Sequence, residues 1–159
     1  MTGFTNILHP TDFSESSQLA CAKAVDLARQ CGAKLTVIHV YVEPLMSEGF
    51  AYVPDIRPEL EEQLARVAED QPFAEIGRVL RVGIPAETIV DYAKEHNCDL
   101  IVIGTHGRTG LTHVLMGSVA EKVVRLAECP VMVVGLRTAE KAKPISPIEH
   151  RSKRPVVIV

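Results

Sequence analysis

The residues best able to do chemistry lie in one run, Gly104-Thr105-His106-Gly107-Arg108-Thr109-Gly110-Leu111-Thr112-His113-Val114-Leu115-Met116-Gly117-Ser118. An apolar strand pattern precedes the run and an amphipathic helix pattern follows it. Glycines let a backbone turn with positive φ and approach a ligand with no Cβ in the way. Ser118 stands where a helix N-cap belongs, and Glu121 three residues on would complete a capping box. The first turn of a helix offers amide protons and the positive end of a dipole, which suits a phosphate. Arg108, with His106 beside it, adds local positive charge. Taken singly, each residue has a structural explanation: Ser118 as a cap, Gly104 and Gly110 as turn residues, His113 as a surface or core histidine. Their joint placement at a strand-to-helix junction points instead to an anion site.

A second constellation is His9-Pro10-Thr11-Asp12-Phe13-Ser14. A carboxylate just past a strand can accept hydrogen bonds from ribose hydroxyls. Its rival role is to cap the following helix, with Asp12 or Ser14 as the cap. The common phosphate motifs do not fit. A P-loop needs a Lys after its final glycine, and here Ser118 is followed by Val119. The dinucleotide fingerprint needs a tight first turn, whereas this glycine loop comes late and is much longer.

The elements that must position these residues follow from two alternating periods. Phe4 to His9, Lys34 to Val42, Ile76 to Val82, Asp99 to Gly104 and Val131 to Gly135 read as strands. Between them, Ala20, Ala24, Leu27, Ala28 and Cys31 share one helical face. Leu60, Leu64, Val67 and Ala68 repeat that spacing behind Pro58, as do Ile89, Val90 and Ala93 behind Pro85, and Val119, Val123 and Leu126 mark a fourth helix. Strands separated by helices of this length are parallel neighbours joined by right-handed crossovers, so the expected fold is an open α/β sheet with helices on both faces. If the first and fourth strands are adjacent where strand order reverses, Asp12 and the glycine loop flank one crevice, the place where ligands bind in such sheets. Three connections are long: Glu43 to Arg57, a lid or an insertion; Thr105 to Gly117; and the tail from Leu136, with three prolines and a final Val-Val-Ile-Val.

Length and composition bound the rest. A chain of 159 residues, 47% hydrophobic and 23% charged, predicts one globular domain and excludes a disordered or collagen-like chain. With four Phe, three Tyr and no Trp, it lacks the aromatic faces of a single-stranded nucleic-acid platform. A formal charge of -3 supplies no basic field for phosphate backbones, so nucleic acid is not an expected partner. Cys21, Cys31, Cys98 and Cys129 form no Cys-x-x-Cys pair and read as reduced, mostly buried thiols. The N-terminal residues lack a signal-peptide pattern, and runs such as Leu100 to Ile103 are too short to span a bilayer. The expectation is a cytoplasmic protein without membrane association.

At these residues the sequence resembles the universal stress protein family. The family's nucleotide signature is Gly, two residues, Gly, nine residues, Gly, then Ser or Thr, and Gly104, Gly107, Gly117 and Ser118 match it in full. The resemblance runs from about Phe4 to Gly135 and includes Pro10-Thr11-Asp12-Phe13-Ser14, His39-Val40 and Cys129-Pro130-Val131. It implies a Rossmann-like, five-stranded parallel sheet in the order 3-2-1-4-5, a homodimer formed through the fifth strand, and the ATP-binding branch. By position, Asp12 would hold the ribose and the Val40 main chain would meet the adenine edge, with Pro10 and Thr11 close by. Ile103 and Gly104 would line the nucleoside pocket, and Gly107, Gly117, Ser118 and Val119 would surround the phosphates. Arg108 joins them on charge grounds, and Mg²⁺ would accompany ATP or another adenine nucleotide.

Hydrolysis would need a positioned base and strong charge neutralisation. His106 and His113 are the only nearby titratable groups and form no recognisable catalytic pair in the sequence. The expectation is therefore a nucleotide-dependent regulator of stress survival with slow or no turnover, the alternative being a weak ATPase or another adenine-nucleotide enzyme of this fold. An ATP pyrophosphatase would carry Ser-Gly-Gly-x-Asp-Ser or His-x-Gly-His, and neither occurs. A phospho-acceptor receiver would need an acidic residue where the third strand ends as Arg81-Val82-Gly83. Residues 1–136 are read as the nucleotide-binding domain and 137–159 as a C-terminal extension. Its apolar end is either an added edge strand, in cis or on a dimer partner, or a disordered tail.

Overall fold

The computed structural model describes residues 3–44, 54–71, 76–106 and 116–135, with the backbone of 156–158. The elements are β1 (Asn6–Pro10), α1 (Glu15–Cys31), β2 (Lys34–Tyr41), α2 (Arg57–Arg66), β3 (Ile76–Val82), α3 (Pro85–Glu95), β4 (Leu100–Gly104), α4 (Ser118–Leu126), β5 (Val131–Val134) and β6 (Val156–Ile158). All strands pair in parallel, in the order β3-β2-β1-β4-β5-β6. The core order 3-2-1-4-5 is the expected one, and β6 adds a sixth strand along the outer edge of β5. No described helix is long and apolar enough to cross a membrane.

Two apolar layers enclose the sheet. Ile7, Leu35, Leu100 and Val102 face Ala20, Ala24 and Ala28 of α1, with Val67 and Ala68 packed alongside from the end of α2. Leu8, Ile38, Ile101, Ile103 and Val133 face Ile89 and Ala93 of α3 and Ala120 and Val123 of α4. Strands covered on both faces need continuous apolar runs, which is why β4 and β5 contain almost nothing else. The helical spacing holds with local corrections. Cys31 is exposed, and Cys21 and Val25 take its place on the buried face of α1. Val119 and Leu126 stand partly in solvent, and Ala120 and Val123 form the buried stripe of α4.

Local chemistry sets where the helices begin. Ser14 caps α1, its Oγ accepting from the Ser17 amide at 3.2 Å. Pro85 opens α3 at a position where the missing N–H had no intrahelical partner. At the other end of the sheet, Asp99 ties β1 to β4, its carboxylate accepting from the Thr5 amide and hydroxyl, both at 2.7 Å, and from the Asn6 amide at 3.0 Å.

Two features hold the centre of the sheet open. The β1–β4 ladder ends at Leu8 and Ile101, before either strand stops. His9, fully buried, lies just past that point and donates from Nδ1 to the Val102 carbonyl at 2.8 Å. Among the described residues its Nε2 has no hydrogen-bond partner, and burial pulls its pKa down to about 4. Gly104 ends β4 against the first turn of α1. A Cβ there would lie 2.6 Å from Ser16 Oγ and 2.8 Å from the Ser16 carbonyl oxygen, so no side chain fits without moving backbone.

Two outcomes follow. Gly104→Ala should lower the unfolding free energy in urea by about 1–3 kcal/mol, the range for overpacking a filled site. His9 is neutral in the folded chain down to about pH 4, whereas in the unfolded chain it takes up a proton near its ordinary 6.5. Stability is therefore lost as pH falls through that window, by about 3 kcal/mol at 1.36 kcal/mol per unit. Urea titrations of the parent and His9→Gln between these pH values should differ by this slope, and parallel curves would dissociate His9 from it.

Candidate functional site

The crossovers through α1 and α2 run one way along the sheet and those through α3 and α4 the other, so the loops after β1 and β4 part company. Between them is a crevice of about 330 Å³, within the size range of small-ligand pockets. It is lined by Pro10, Thr11, Asp12, Val40, Ile103, Gly104, Gly117, Ser118 and Val119, which are nine of the residues singled out from the sequence. The other two, Gly107 and Arg108, lie outside the described residues, as does His113. Ser17, Ile38, His39, Pro85 and Ile89 also line the crevice and were not anticipated. A second cavity of about 400 Å³ opens between α1 and α2, but the described residues that line it include neither carboxylate nor glycine.

The wall after β1 is a pinned turn. Thr11 Oγ1 accepts from the Phe13 amide at 3.1 Å and from Ser17 Oγ at 2.7 Å. Asp12 Oδ1 accepts from the Ser14 amide at 3.0 Å and the Ser14 hydroxyl at 2.5 Å. Phe13 is thereby held at φ 65°, a region costly for a bulky side chain, and its ring packs on His39 at 4.5 Å between centroids. The His39 Nδ1–H donates to the Thr11 carbonyl at 2.7 Å and so braces the turn from β2. Asp12 thus does not cap α1 itself; it orients the cap, Ser14, at the mouth of the crevice.

The β2 wall presents main chain. Ile38 O accepts from the Thr11 amide at 2.8 Å on the β1 side, and Tyr41 O accepts from the Gly83 amide at 3.0 Å on the β3 side. Strand alternation therefore turns the N–H and C=O of Val40 toward β1, beyond the last β1–β2 bond.

The opposite wall is the start of α4. The helix begins at Ser118 and its N-cap is Gly117, with extended backbone and no side-chain capping bond. This corrects the expected capping box. Ser118 is already helical, and Glu121 turns outward to pair with Arg125 at 2.6 Å. The Gly117 amide donates back to the Thr105 carbonyl, which fixes the helix entry against the end of β4. His106 lines the same end, sharing a 2.8 Å hydrogen bond between its Nδ1 and Thr105 Oγ1, and its amide donates to Ser16 Oγ at 3.3 Å. The crevice thus sets a carboxylate and two outward-turned main-chain groups across from a helix terminus whose first amides no side chain among the described residues has taken. That arrangement can bind a molecule with hydroxyls, an apolar ring with a hydrogen-bonding edge, and an anionic group.

Comparison with known proteins agrees with the geometry. The model of the universal stress protein family matches residues 3–135. Universal stress protein MJ0531 of Methanocaldococcus jannaschii is 37% identical over 139 residues, covering 82% of each chain. The crystal structure of a universal stress protein in complex with cAMP superposes with a TM-score of 0.66 at 25% identity, over 83% of this chain and 97% of that one. The universal stress protein from Archaeoglobus fulgidus in complex with dAMP gives 0.58 at 28% identity, over 84% and 98%. The fold, the crevice at its switch point and these matches lead to one conclusion: the chain belongs to the universal stress protein family.

Proposed function

We propose that this chain binds ATP, or another adenine nucleotide, with Mg²⁺ in the β1–β4 crevice, and acts in the cytoplasm as a homodimeric, nucleotide-dependent regulator of stress survival with slow or no hydrolysis. The observation that carries the reading is the opposition of Asp12 and the uncapped first turn of α4 across one cavity. Asp12 would accept from the ribose hydroxyls. The Val40 N–H and C=O would meet the adenine edge, with Pro10 and Thr11 beside the ring and Ile103 and Gly104 along the nucleoside. Gly117, Ser118 and Val119 would receive the phosphates, with Gly107 and Arg108 completing that end. Relatives in complex with cAMP and dAMP support an adenine nucleotide as the ligand class.

Among the described residues no three His, Cys, Asp or Glu side chains are grouped for a metal. The ion would therefore be held mainly by phosphate oxygens and water. His106, at the phosphate end of the crevice, is the observation that favours the second reading, a weak ATPase.

Dimerisation through β5 would involve the tail, because β6 pairs along the outer edge of β5. A partner could add beyond β6, or take the place of β6 on β5.

Native mass spectrometry of freshly purified protein, followed by titration with ATP and magnesium, tests the reading. The expected result is a nucleotide adduct, and no binding at millimolar ATP would overturn it. Asp12→Ala should weaken binding about 10- to 100-fold, the loss of hydrogen bonds to a charged group. An unchanged affinity would remove the ribose assignment. Gly117→Val should abolish binding by crowding the backbone that meets the phosphates. Steady phosphate release that disappears in His106→Ala would move the assignment to an enzyme. For the tail, deleting residues 144–159 should change the number of chains per particle measured by light scattering, since it bares the β5 edge; a soluble dimer, unchanged in oligomeric state, would count against a structural role for the tail.

A further inference from the structure

The thiols separate into two unlike groups. Cys21 and Cys31 lie on one helix, ten residues and therefore about 15 Å apart along its axis, too far to react with each other. Cys98 and Cys129 precede β4 and β5, neighbouring strands, at the end of the sheet away from the crevice. Ile101 is in register with Val131, and its amide donates to the Pro130 carbonyl at 3.0 Å. Cys98 stands two residues before Leu100 and Cys129 two before Val131, so the lead-ins to the paired strands bring the two cysteines to one place, near enough for each to bear on the other's charge.

Both side chains line a single cavity of about 420 Å³, together with Val90, Ala93, Lys94 and Glu128. The two segments that carry the cysteines are already drawn together there, Lys94 Nζ meeting Glu128 Oε1 at 2.8 Å. All four cysteines stand as thiols. Cys129 is partly exposed, whereas Cys98 is buried within the α3–α4 core. Burial, with Cys129 and Asp99 nearby, pushes the Cys98 thiol up to about 11. The raised pKa keeps Cys98 from reacting first, so the more accessible Cys129 is the thiol a peroxide meets, and Cys98 beside it is placed to resolve the product.

We propose that Cys98 and Cys129 are a redox modification site, a dithiol converted to a reversible disulfide by hydroperoxides. The Cys129 thiolate attacks one peroxide oxygen. An S–O bond forms, the O–O bond breaks, and the other oxygen leaves as water or an alcohol, taking up the proton that the thiol gave. The Cys98 sulfur then attacks the sulfenic sulfur of Cys129. The S–S bond forms, the S–O bond breaks, and the hydroxyl leaves as water with the Cys98 proton. Two thiols lose two electrons in total, and the hydroperoxide gains them. The bond closes a loop that contains β4, the 105–117 connection and α4, so the segment bearing the phosphate end of the crevice becomes covalently tied at its base. The assignment stands independently of nucleotide binding.

The test is made on the reduced full chain. Protein is treated with hydrogen peroxide, remaining thiols are blocked with N-ethylmaleimide in denaturant, and tryptic peptides are weighed. The expected product joins the peptides Glu95–Arg108 and Leu126–Arg137, is lighter than their sum by two hydrogens, and is lost on reduction with dithiothreitol. Cys21 and Cys31 should remain alkylated. In Cys98→Ser, oxidation should stall at a Cys129 sulfenic acid that dimedone captures. In Cys129→Ser, Cys98 should remain alkylatable at the same peroxide dose. The proposal is overturned if parent Cys98 and Cys129 both stay alkylatable while Cys31 is oxidised, or if Cys98 oxidises equally fast in Cys129→Ser.

Discussion

The contact between Gly104 and Ser16 is the constraint on which the candidate site depends. Because β4 ends in a residue without a Cβ, the first turn of α1 can rest directly on it. That placement fixes where α1 starts, hence where Ser14 must cap it and where Asp12 must stand. The same Ser16 hydroxyl accepts from the His106 amide, so one helical turn anchors both walls of the crevice. His9 completes the arrangement by filling the space where β1 and β4 have stopped pairing. A larger residue at 104 or a fully zipped β1–β4 ladder would leave less room for a ligand.

Much of this was legible in the sequence, for physical reasons. Continuous Val and Ile runs separated by helical spacing can satisfy both burial and backbone hydrogen bonding in few ways, and a parallel sheet covered on two faces is one of them. Asp12, Gly104, Gly117 and Ser118 stood out because carboxylates and glycines at strand ends serve no core. The expected capping box fails because the same pattern is compatible with a helix starting one residue earlier, at Ser118. The extended backbone of Gly117 decides between the two, and that is a tertiary matter, set by the bond from its amide to Thr105. His39 was invisible as a positioning group for the opposite reason. A histidine inside an apolar strand looks like core, and its bond to the Thr11 carbonyl joins residues 28 apart in the chain. Pro85 and Ile89 likewise read only as a helix start and its apolar face, yet α3 brings them to the crevice.

The two ends of the sheet are built on different principles. At the ligand end, β1 and β4 separate, α2, α3 and α4 begin without side-chain caps while Ser14 caps α1, and a strained Phe13 is held in place by the Thr11 hydroxyl. At the other end Asp99 binds β1 to β4, and Lys94 and Glu128 bridge α3 to the loop before β5. Rigidity at the base gives the open end a fixed geometry.

The strand β6 has a consequence in time. It pairs with β5 but is encoded about twenty residues later, so at synthesis rates of about 5–20 residues per second the outer edge of β5 exists for roughly 1–4 s before its cover is made. During that interval the nascent chain offers an unpaired, wholly apolar strand edge to any neighbour on the same message, and the proline-rich connector sets how soon that exposure ends.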